Sequence, residues 1–305
     1  MRVTRVQHSH DEPHSGPTRI LHRFVSTVCI IGAGELGGAC AHALARNERV
    51  RRVLLIDEAA GVAAGKALDM QQAGAIDGSH TYLEGGADFS RSIGAAVCII
   101  ADRSGRSANE WQGDEALAMM KRLLTYLGES PIVFAGPSQA SLLAAAAREL
   151  HIRRERLIGS AAEALCGAVK SMVAIEAQCS PSEIGLTVLG APPRGFVVPW
   201  SEASIGGHAL ERVLTQVQVS RIENRLAHLW PPGSFALGLA ATRVAEGLLT
   251  SARATFNVLT VLGGEFGARG RVGVLPAILS KTGIVATRVP ALNTRERVQV
   301  ENALG

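Results

Sequence analysis

The chain has 305 residues, 47% hydrophobic and 19% charged, a composition typical of a globular protein with one large or two modest domains. Its net charge of +4 is small and scattered, which argues against a nucleic-acid partner. No apolar run approaches the roughly 18 residues of a membrane helix, so no membrane partner is expected. The five cysteines form no C-x-x-C pair and indicate a reducing, cytoplasmic location.

Residues 1–24 differ from the rest of the chain and are predicted to be a flexible tail. They carry His8, His10, His14 and His22 but no apolar segment of the kind found in secretory signals. The spacing of these histidines fits no defined metal site, and no metal is predicted.

A glycine-rich turn follows the first predicted strand, residues 25–31, and precedes a predicted helix over residues 35–47. Its pattern is G-x-G-x-x-G, in which Gly32 permits a tight turn, Gly34 lets the backbone approach a pyrophosphate, and Gly37 lets the helix pack on the sheet. The free N–H groups at the helix start favour an anion there. The turn therefore predicts a dinucleotide site.

An acidic residue stands at the expected distance from this turn. A second apolar strand, residues 52–57, ends in Asp57, which follows Gly37 by 20 residues and is predicted to bind the ribose hydroxyls. Glu58 comes next, and two carboxylates would repel a 2′-phosphate, so NAD is predicted rather than NADP. The predicted cofactor-binding residues are Gly32, Gly34, Glu35, Leu36, Gly37 and Asp57.

The remaining elements continue the alternation of strands and helices. Up to residue 150 they are a helix containing residues 65–70, strands at 81–83 and 95–101, a helix at 114–127, a strand at 131–134 and a helix at 138–150. Beyond the charged segment 151–156 they are helices at 161–178, 209–229, 234–249 and 294–304 and strands at 183–189, 196–200, 255–262, 271–279 and 283–288. The alternation indicates a parallel sheet, and the last three strands are predicted to be antiparallel.

The chain resembles the malate and lactate dehydrogenase family over nearly everything after the tail. Besides the glycine-rich turn, the matching segments are Gly-Lys-Ala-Leu-Asp-Met at 65–70, Gly-Ser-Ala at 159–161, Val-Leu-Gly at 188–190, Val-Pro at 198–199, Gly-Ser at 233–234 and the glycine-rich hairpin at 267–276. The resemblance implies an α/β fold, with a Rossmann-type parallel-sheet domain over residues 25–150 and an α+β substrate domain over residues 151–305. It also implies NAD, a small-molecule substrate and a homodimer or homotetramer.

The chemistry of such a family makes clear demands on the residues beside the cofactor. Hydride transfer from a 2-hydroxy acid needs a group with a pKa near 7 to take the proton, and an arginine to hold the substrate carboxylate. The family supplies a histidine, an aspartate that orients it, and two arginines. Here the histidine position falls in the turn 191–195, Leu165 replaces the aspartate, and Ala168 replaces the carboxylate-binding arginine.

A few polar residues could rebuild a catalytic site. Arg103 or Arg106 in the shortened loop 102–110 could reach an anion. Arg194 in the turn could also bind an anion, although a solvated role suits it better. Ser234 matches a substrate-side hydroxyl but also suits a helix N-cap. His208 and His228 are predicted to be exposed, and Cys166 to be inert packing.

Two functions therefore stay open. The first is an oxidoreductase that acts on a small 2-hydroxy or 2-oxo compound through a rebuilt site built from Arg103, Arg106, Arg194 and Ser234. The second is a non-catalytic NAD-binding protein that acts as a sensor or partner subunit. A third reading, a relative that holds no nucleotide, is opposed by the intact glycines and Asp57. Ordinary malate or lactate turnover is not expected.

Overall fold

The predicted alternation of strands and helices is confirmed in the computed structural model, which describes residues 26–47, 49–105 and 110–305. The elements up to residue 159 are β1 (Thr27–Ile31), α1 (Glu35–Arg46), β2 (Arg52–Ile56), α2 (Ala60–Asp77), β3 (Tyr82–Gly86), β4 (Val97–Ile100), α3 (Gly113–Leu127), β5 (Ile132–Phe134), α4 (Ala140–Glu149) and β6 (Leu157–Gly159). Those that follow are α5 (Ala161–Ala177), β7 (Ile184–Gly185), β8 (Leu189–Ala191), β9 (Gly195–Val197), β10 (Ser204–Ile205), β11 (His208–Ala209), α6 (Leu210–Val213), α7 (Gln216–Leu226), α8 (Ser234–Thr250), β12 (Thr255–Gly263), β13 (Arg269–Ser280), β14 (Gly283–Thr287) and α9 (Thr294–Leu304).

One 11-stranded sheet runs through most of the described residues. Its parallel part has the order β3-β2-β1-β4-β5-β6, and it continues antiparallel through β12, β13, β8 and β9, with β14 paired to β13. The interior strands β1, β2 and β4 are almost wholly apolar and buried, as expected of parallel strands that are covered on both faces. The antiparallel pairing predicted for the last three strands is confirmed.

The register of the central strands decides which residues meet at the edge where they end. Ile31 at the end of β1 pairs with Ile56 of β2 on one side and with Ile100 of β4 on the other. Because these three strands are parallel and in register, the residues that follow them lie together at one edge of the sheet. Ligands of parallel α/β sheets bind at this edge, beyond the carboxyl ends of the strands.

Two predicted elements are wrong because the chain breaks where one element was expected. The strand predicted at 183–189 is divided between β7 and β8, which belong to different sheets. The helix predicted at 209–229 stops at Val213 and restarts at Gln216, because the Thr215 side chain caps the new helix by accepting the Gln218 N–H.

Two short strands also differ from the prediction. β3 extends to Gly86 because its backbone pairs with β2 as far as Ile56. Gly85 lets α2 pack closely over this strand, since a Cβ there would lie 2.1 Å from the carbonyl oxygen of Ala63. β6 was not predicted; it has three residues and pairs with β5. The division into domains at residues 150 and 151 stays a prediction.

Helix α8 is placed beside the glycine-rich turn by its packing against α1. A Cβ on Gly238 would lie 2.7 Å from that of Ala39, so the two helices touch closely. The start of α8 therefore lies near the start of α1. Within the described ranges, no helix is both long enough and apolar enough to cross a membrane.

Candidate functional site

The glycine-rich turn sits at the carboxyl end of β1, as predicted. Gly32 has φ +108° and donates its N–H to the carbonyl oxygen of Ile56 at 2.7 Å. A Cβ on Gly32 would lie 2.3 Å from the backbone oxygen of Asp102. A side chain is therefore excluded both by the backbone conformation and by the neighbouring strand end.

The other two glycines of the turn are constrained by different neighbours. A Cβ on Gly37 would lie 2.0 Å from the carbonyl oxygen of Gly32, so α1 presses directly on the turn. Gly34 is the N-cap of α1, and its side-chain position faces the carboxylate of Asp102. The backbone thus has the shape that the sequence predicts for a phosphate-binding turn.

Glu35 and Leu36, also predicted to bind the cofactor, occupy different environments. The Leu36 side chain is buried in the core beneath the turn. Glu35 is exposed and accepts a hydrogen bond from the Ser234 hydroxyl. Of the two roles left open for Ser234, the helix N-cap is wrong, because Gly233 is the N-cap of α8.

Asp57 follows β2, and both oxygens of its buried carboxylate are fully engaged. Oδ2 accepts the N–H groups of Ala33 at 2.7 Å and Ser104 at 3.0 Å. Oδ1 accepts the Ala59 N–H at 2.9 Å and the Ser104 hydroxyl at 2.7 Å. Burial alone would raise the pKa of Asp57, but these hydrogen bonds outweigh it and lower the pKa below its usual value.

Asp102 comes after β4 and turns its side chain into the glycine-rich turn. Its Oδ1 accepts the N–H of Gly37 at 2.8 Å, and its backbone oxygen accepts the N–H of Gly34 at 2.9 Å. The backbone of the turn would suit a dinucleotide, but the side chains in this arrangement do not fit one, because Asp102 fills the phosphate position. We therefore derive no hydride-transfer step through NAD.

Glu110 adds a further carboxylate on the side of β5. A Cβ on Gly136 would lie 2.1 Å from Oε2 of Glu110, and the same oxygen accepts the Ser138 N–H at 2.9 Å. Burial, with a smaller contribution from the charge of Asp102, raises the pKa of Glu110, although hydrogen bonds from Ser138 oppose the shift. Asp102 and Glu110 are also joined by an antiparallel bridge.

Arg103, the described arginine of the loop, is not directed at this site. Arg103 pairs with Glu115 at 2.6 Å and stacks on the ring of Trp111, with its guanidinium carbon 4.7 Å from the ring centre. Only 12% of its side chain is exposed. Arg106 lies outside the described residues, as do the histidines of the tail.

Arg194 lies on an open groove away from the glycine-rich turn. It is exposed in the turn between β8 and β9 and lines a groove of about 840 Å³ with Trp200, Trp230 and residues of α7 and α9. Among the described residues, neither the glycine-rich turn nor Ser234 contributes to that groove. The structure therefore does not bring Arg194 and Ser234 together.

The two positions of α5 at which the family resemblance expects an aspartate and an arginine hold no group that could transfer a proton or bind an anion. Leu165 is fully buried in an apolar cluster with Val188 and Val198, which flank the β8–β9 hairpin. Ala168 is half-buried. Burial, with a contribution from Glu163, raises the pKa of the buried Cys166 thiol to about 12. His208 and His228 are exposed.

Three residues at the glycine-rich turn were not singled out from the sequence. They are Asp102, Ser104 and Lys66, whose ammonium donates to the carbonyl oxygen of Gly34 at 2.6 Å. The signal for Asp102 is its position immediately after a buried parallel strand, at the edge where Gly32 and Asp57 also lie. Within the described ranges, no group of three or more His, Cys, Asp or Glu residues could hold a metal ion.

The parallel sheet with its glycine-rich turn defines a Rossmann-type protein, and comparisons with known proteins narrow the class. No protein-family model matched the chain. A malate dehydrogenase of Thioalkalivibrio sulfidiphilus is 26% identical over 297 residues, 91% of this chain and 95% of that protein. One of Cytophaga hutchinsonii is 25% identical over 292 residues, 90% and 94% of the two chains.

Solved structures show the same fold at lower identity. The malate dehydrogenase of Salinibacter ruber has a TM-score of 0.82 at 21% identity, covering 91% of this chain and 93% of its own. The lactate dehydrogenase of Cryptosporidium parvum, complexed with lactic acid and NAD, has a TM-score of 0.80 at 22% identity, covering 91% and 94%. The chain is thus similar to malate dehydrogenases over about nine-tenths of its length, and it has the fold of the malate and lactate dehydrogenases.

Proposed function

We propose that this chain is a non-catalytic member of the malate and lactate dehydrogenase family that acts as a sensor or partner subunit. The observation that carries the proposal is that Leu165, where the family resemblance expects an aspartate, is fully buried in an apolar cluster with Val188 and Val198. The turn 191–195, where the resemblance expects a histidine, contains none. A titratable base is needed to take the proton of a 2-hydroxy acid, and these positions supply none.

The anion-binding groups support the same proposal. Ala168 cannot hold a substrate carboxylate, and the guanidinium of Arg103 is already paired with Glu115 and stacked on Trp111. A bidentate arginine in a dry site is the usual means of holding a carboxylate. The alternative, an oxidoreductase with a rebuilt site, is weakened because Arg194 and Ser234 lie in separate places.

The ligand that we assign to the glycine-rich turn is NAD, the dinucleotide present in the Cryptosporidium parvum structure. Glu58 is exposed next to Asp57, and its charge disfavours the 2′-phosphate of NADP. Binding requires a state in which the Asp102 side chain has left the turn.

A substrate screen tests the non-catalytic assignment. Oxaloacetate, pyruvate and other 2-oxo acids are mixed with the protein and NADH, and the loss of NADH absorbance is followed beside an active malate dehydrogenase as control. We expect no turnover above the rate without protein. Turnover at about 10 s⁻¹, an ordinary enzymatic rate, would show that a proton-transfer group exists and that the proposal is wrong.

We also propose a homodimer or homotetramer. Phe235 and Leu239 lie four residues apart on α8 and are 85% and 63% exposed, so they form an apolar strip on one helix face. Light scattering during gel filtration should give two or four times the mass of the chain. A mass equal to one chain at micromolar concentration would contradict the proposal.

A further inference from the structure

The position that a nucleotide pyrophosphate would take is defined by two features of the glycine-rich turn. Gly34 has no side chain, which leaves space beside the backbone, and Gly37 directs its N–H into that space from the first turn of α1. An anion there would accept the Gly37 N–H and meet the positive end of the helix dipole. The geometry of the turn therefore favours the binding of an anion at Gly34 and Gly37.

In this chain the site already holds an anion. Oδ1 of Asp102 accepts the Gly37 N–H at 2.8 Å. A Cβ built on Gly34 would lie 2.3 Å from Oδ2 and 2.5 Å from Oδ1 of the same carboxylate. Asp102 therefore occupies the space that the missing side chain of Gly34 leaves, and only 8% of the residue is exposed.

The backbone holds Asp102 in this place. Its carbonyl oxygen accepts the N–H of Gly34 at 2.9 Å, and the preceding Ala101 N–H donates to the Ile31 oxygen at 2.9 Å. A ligand could displace the carboxylate only by rotating the side chain or by breaking these two contacts.

Ser104 occupies the second group that would bind a dinucleotide, the carboxylate of Asp57. Its N–H and hydroxyl both donate to Asp57, the residue predicted to bind the ribose hydroxyls. Two residues of one short segment thus replace the pyrophosphate and the ribose at the same time.

We infer that Asp102 is a built-in competitor of nucleotide pyrophosphates, so that its carboxylate and a phosphate exclude each other from Gly34 and Gly37. The inference rests on the ligand assigned under the proposed function. Two anions cannot share one N–H group, and their charges repel at this distance. Lys66, whose ammonium lies on the Gly34 carbonyl oxygen, leaves a cation beside the site once Asp102 is removed.

The test measures the binding of inorganic pyrophosphate to the wild type, Asp102→Ala and Asp102→Asn by calorimetry. We expect Asp102→Ala to bind pyrophosphate about 10-fold to 100-fold more tightly than the wild type, the range for one hydrogen bond to a charged group. Asp102→Asn still fills the space and should gain less. Asp69→Ala, which removes an exposed carboxylate on α2, should stay within about twofold of the wild type.

Circular dichroism and the melting transition establish that each variant is folded, and the Asn variant keeps the comparison available if the Ala variant unfolds. No gain in Asp102→Ala over the wild type, or in Asp102→Asn if only that variant folds, overturns the inference. An equal gain in the Ala and Asn variants supports the inference through charge repulsion, whereas a smaller gain in the Asn variant supports exclusion by occupation of the space as well.

A second arm measures NADH binding by fluorescence, with Ser104→Ala added to Asp102→Ala so that Asp57 loses a competing hydroxyl. Tighter NADH binding by the double variant supports both the inference and the assigned ligand. Equally tight binding by the wild type overturns the inference and leaves NAD as the ligand. A gain for pyrophosphate without any NADH binding supports the inference and removes NAD from the proposed function.

Discussion

Gly37→Ala is expected to lower the free energy of unfolding by about 3 kcal/mol or more, because the added methyl group has no space. Its Cβ would lie 2.0 Å from the carbonyl oxygen and 2.9 Å from the carbonyl carbon of Gly32. Both atoms are backbone, and Gly32 is itself held by the hydrogen bond to Ile56. No flexible side chain can move aside, so either α1 or the turn must shift.

Gly65→Ala is the matched control for this prediction. Gly65 lies inside α2, and a Cβ there meets nothing within 4 Å. Alanine should therefore stabilise the helix by roughly 0.5–1 kcal/mol, the usual gain in a helix interior. Urea unfolding followed by circular dichroism measures both variants. Similar unfolding free energies for the two variants would mean that α1 does not press on the turn as described.

The contrast between these glycines shows which part of the site the sequence can predict. The spacing of Gly32, Gly34 and Gly37 after an apolar strand predicts a tight turn and a closely packed helix. This prediction is possible because the turn and the helix start are formed by residues that are close together in the sequence. The parallel pairing of β1, β2 and β4 could be predicted from the alternation of strands and helices, and their apolar sequences agree with burial on both faces. These local patterns predicted the position of the turn and of Asp57.

The occupation of the glycine-rich turn by the Asp102 side chain could not be predicted from the same patterns. Asp102 is 65 residues from Gly37, and whether its side chain enters the turn or points away depends on the path of the chain after β4. Similarly, Ser104 reaches Asp57 across 47 residues. From the sequence, residues 102–110 are predicted to form a loop whose arginines are the candidate ligands. In the structure, the carboxylate of Asp102 and the hydroxyl of Ser104 make the contacts to the site.

Breaks within elements were missed for a different reason. The apolar spacing over residues 209–229 suits one long helix, but the Thr215 cap competes locally and divides it. The absence of a titratable group at two particular positions of α5 could be predicted, because Leu165 and Ala168 have fixed positions relative to the Gly-Ser-Ala segment that opens the helix. Side chains within regular elements are thus easier to assign than those that follow a strand end.

Asp57→Ala is expected to lower the free energy of unfolding by about 3 kcal/mol near neutral pH, because it leaves several buried donors without an acceptor. The carboxylate accepts three backbone N–H groups, from Ala33, Ala59 and Ser104, and also the Ser104 hydroxyl. The glycine-rich turn, the segment that follows β2 and the loop that follows β4 would each lose a contact to this carboxylate. Urea unfolding measures the loss, and Asp69→Ala, which removes an exposed carboxylate, should change stability little.

The same residue should make stability depend on pH in a defined direction. The hydrogen bonds lower the pKa of Asp57 in the folded protein, so the folded state binds the proton less readily than the unfolded chain. Its contribution is therefore complete above the unfolded pKa of about 3.9 and is lost as the pH falls through the lower folded value. The stability difference between the wild type and Asp57→Ala should shrink over that acidic range.

Asp57→Asn separates the charge of this residue from its shape. The amide oxygen can still accept N–H groups, but the amide nitrogen cannot, so part of the destabilisation should remain. Because the amide does not titrate, the acid-dependent loss attributed to Asp57 should disappear in this variant. If Asp57→Asn lost stability toward acid as steeply as the wild type, other carboxylates would account for the pH dependence, and the hydrogen bonds to Asp57 would not hold its pKa down.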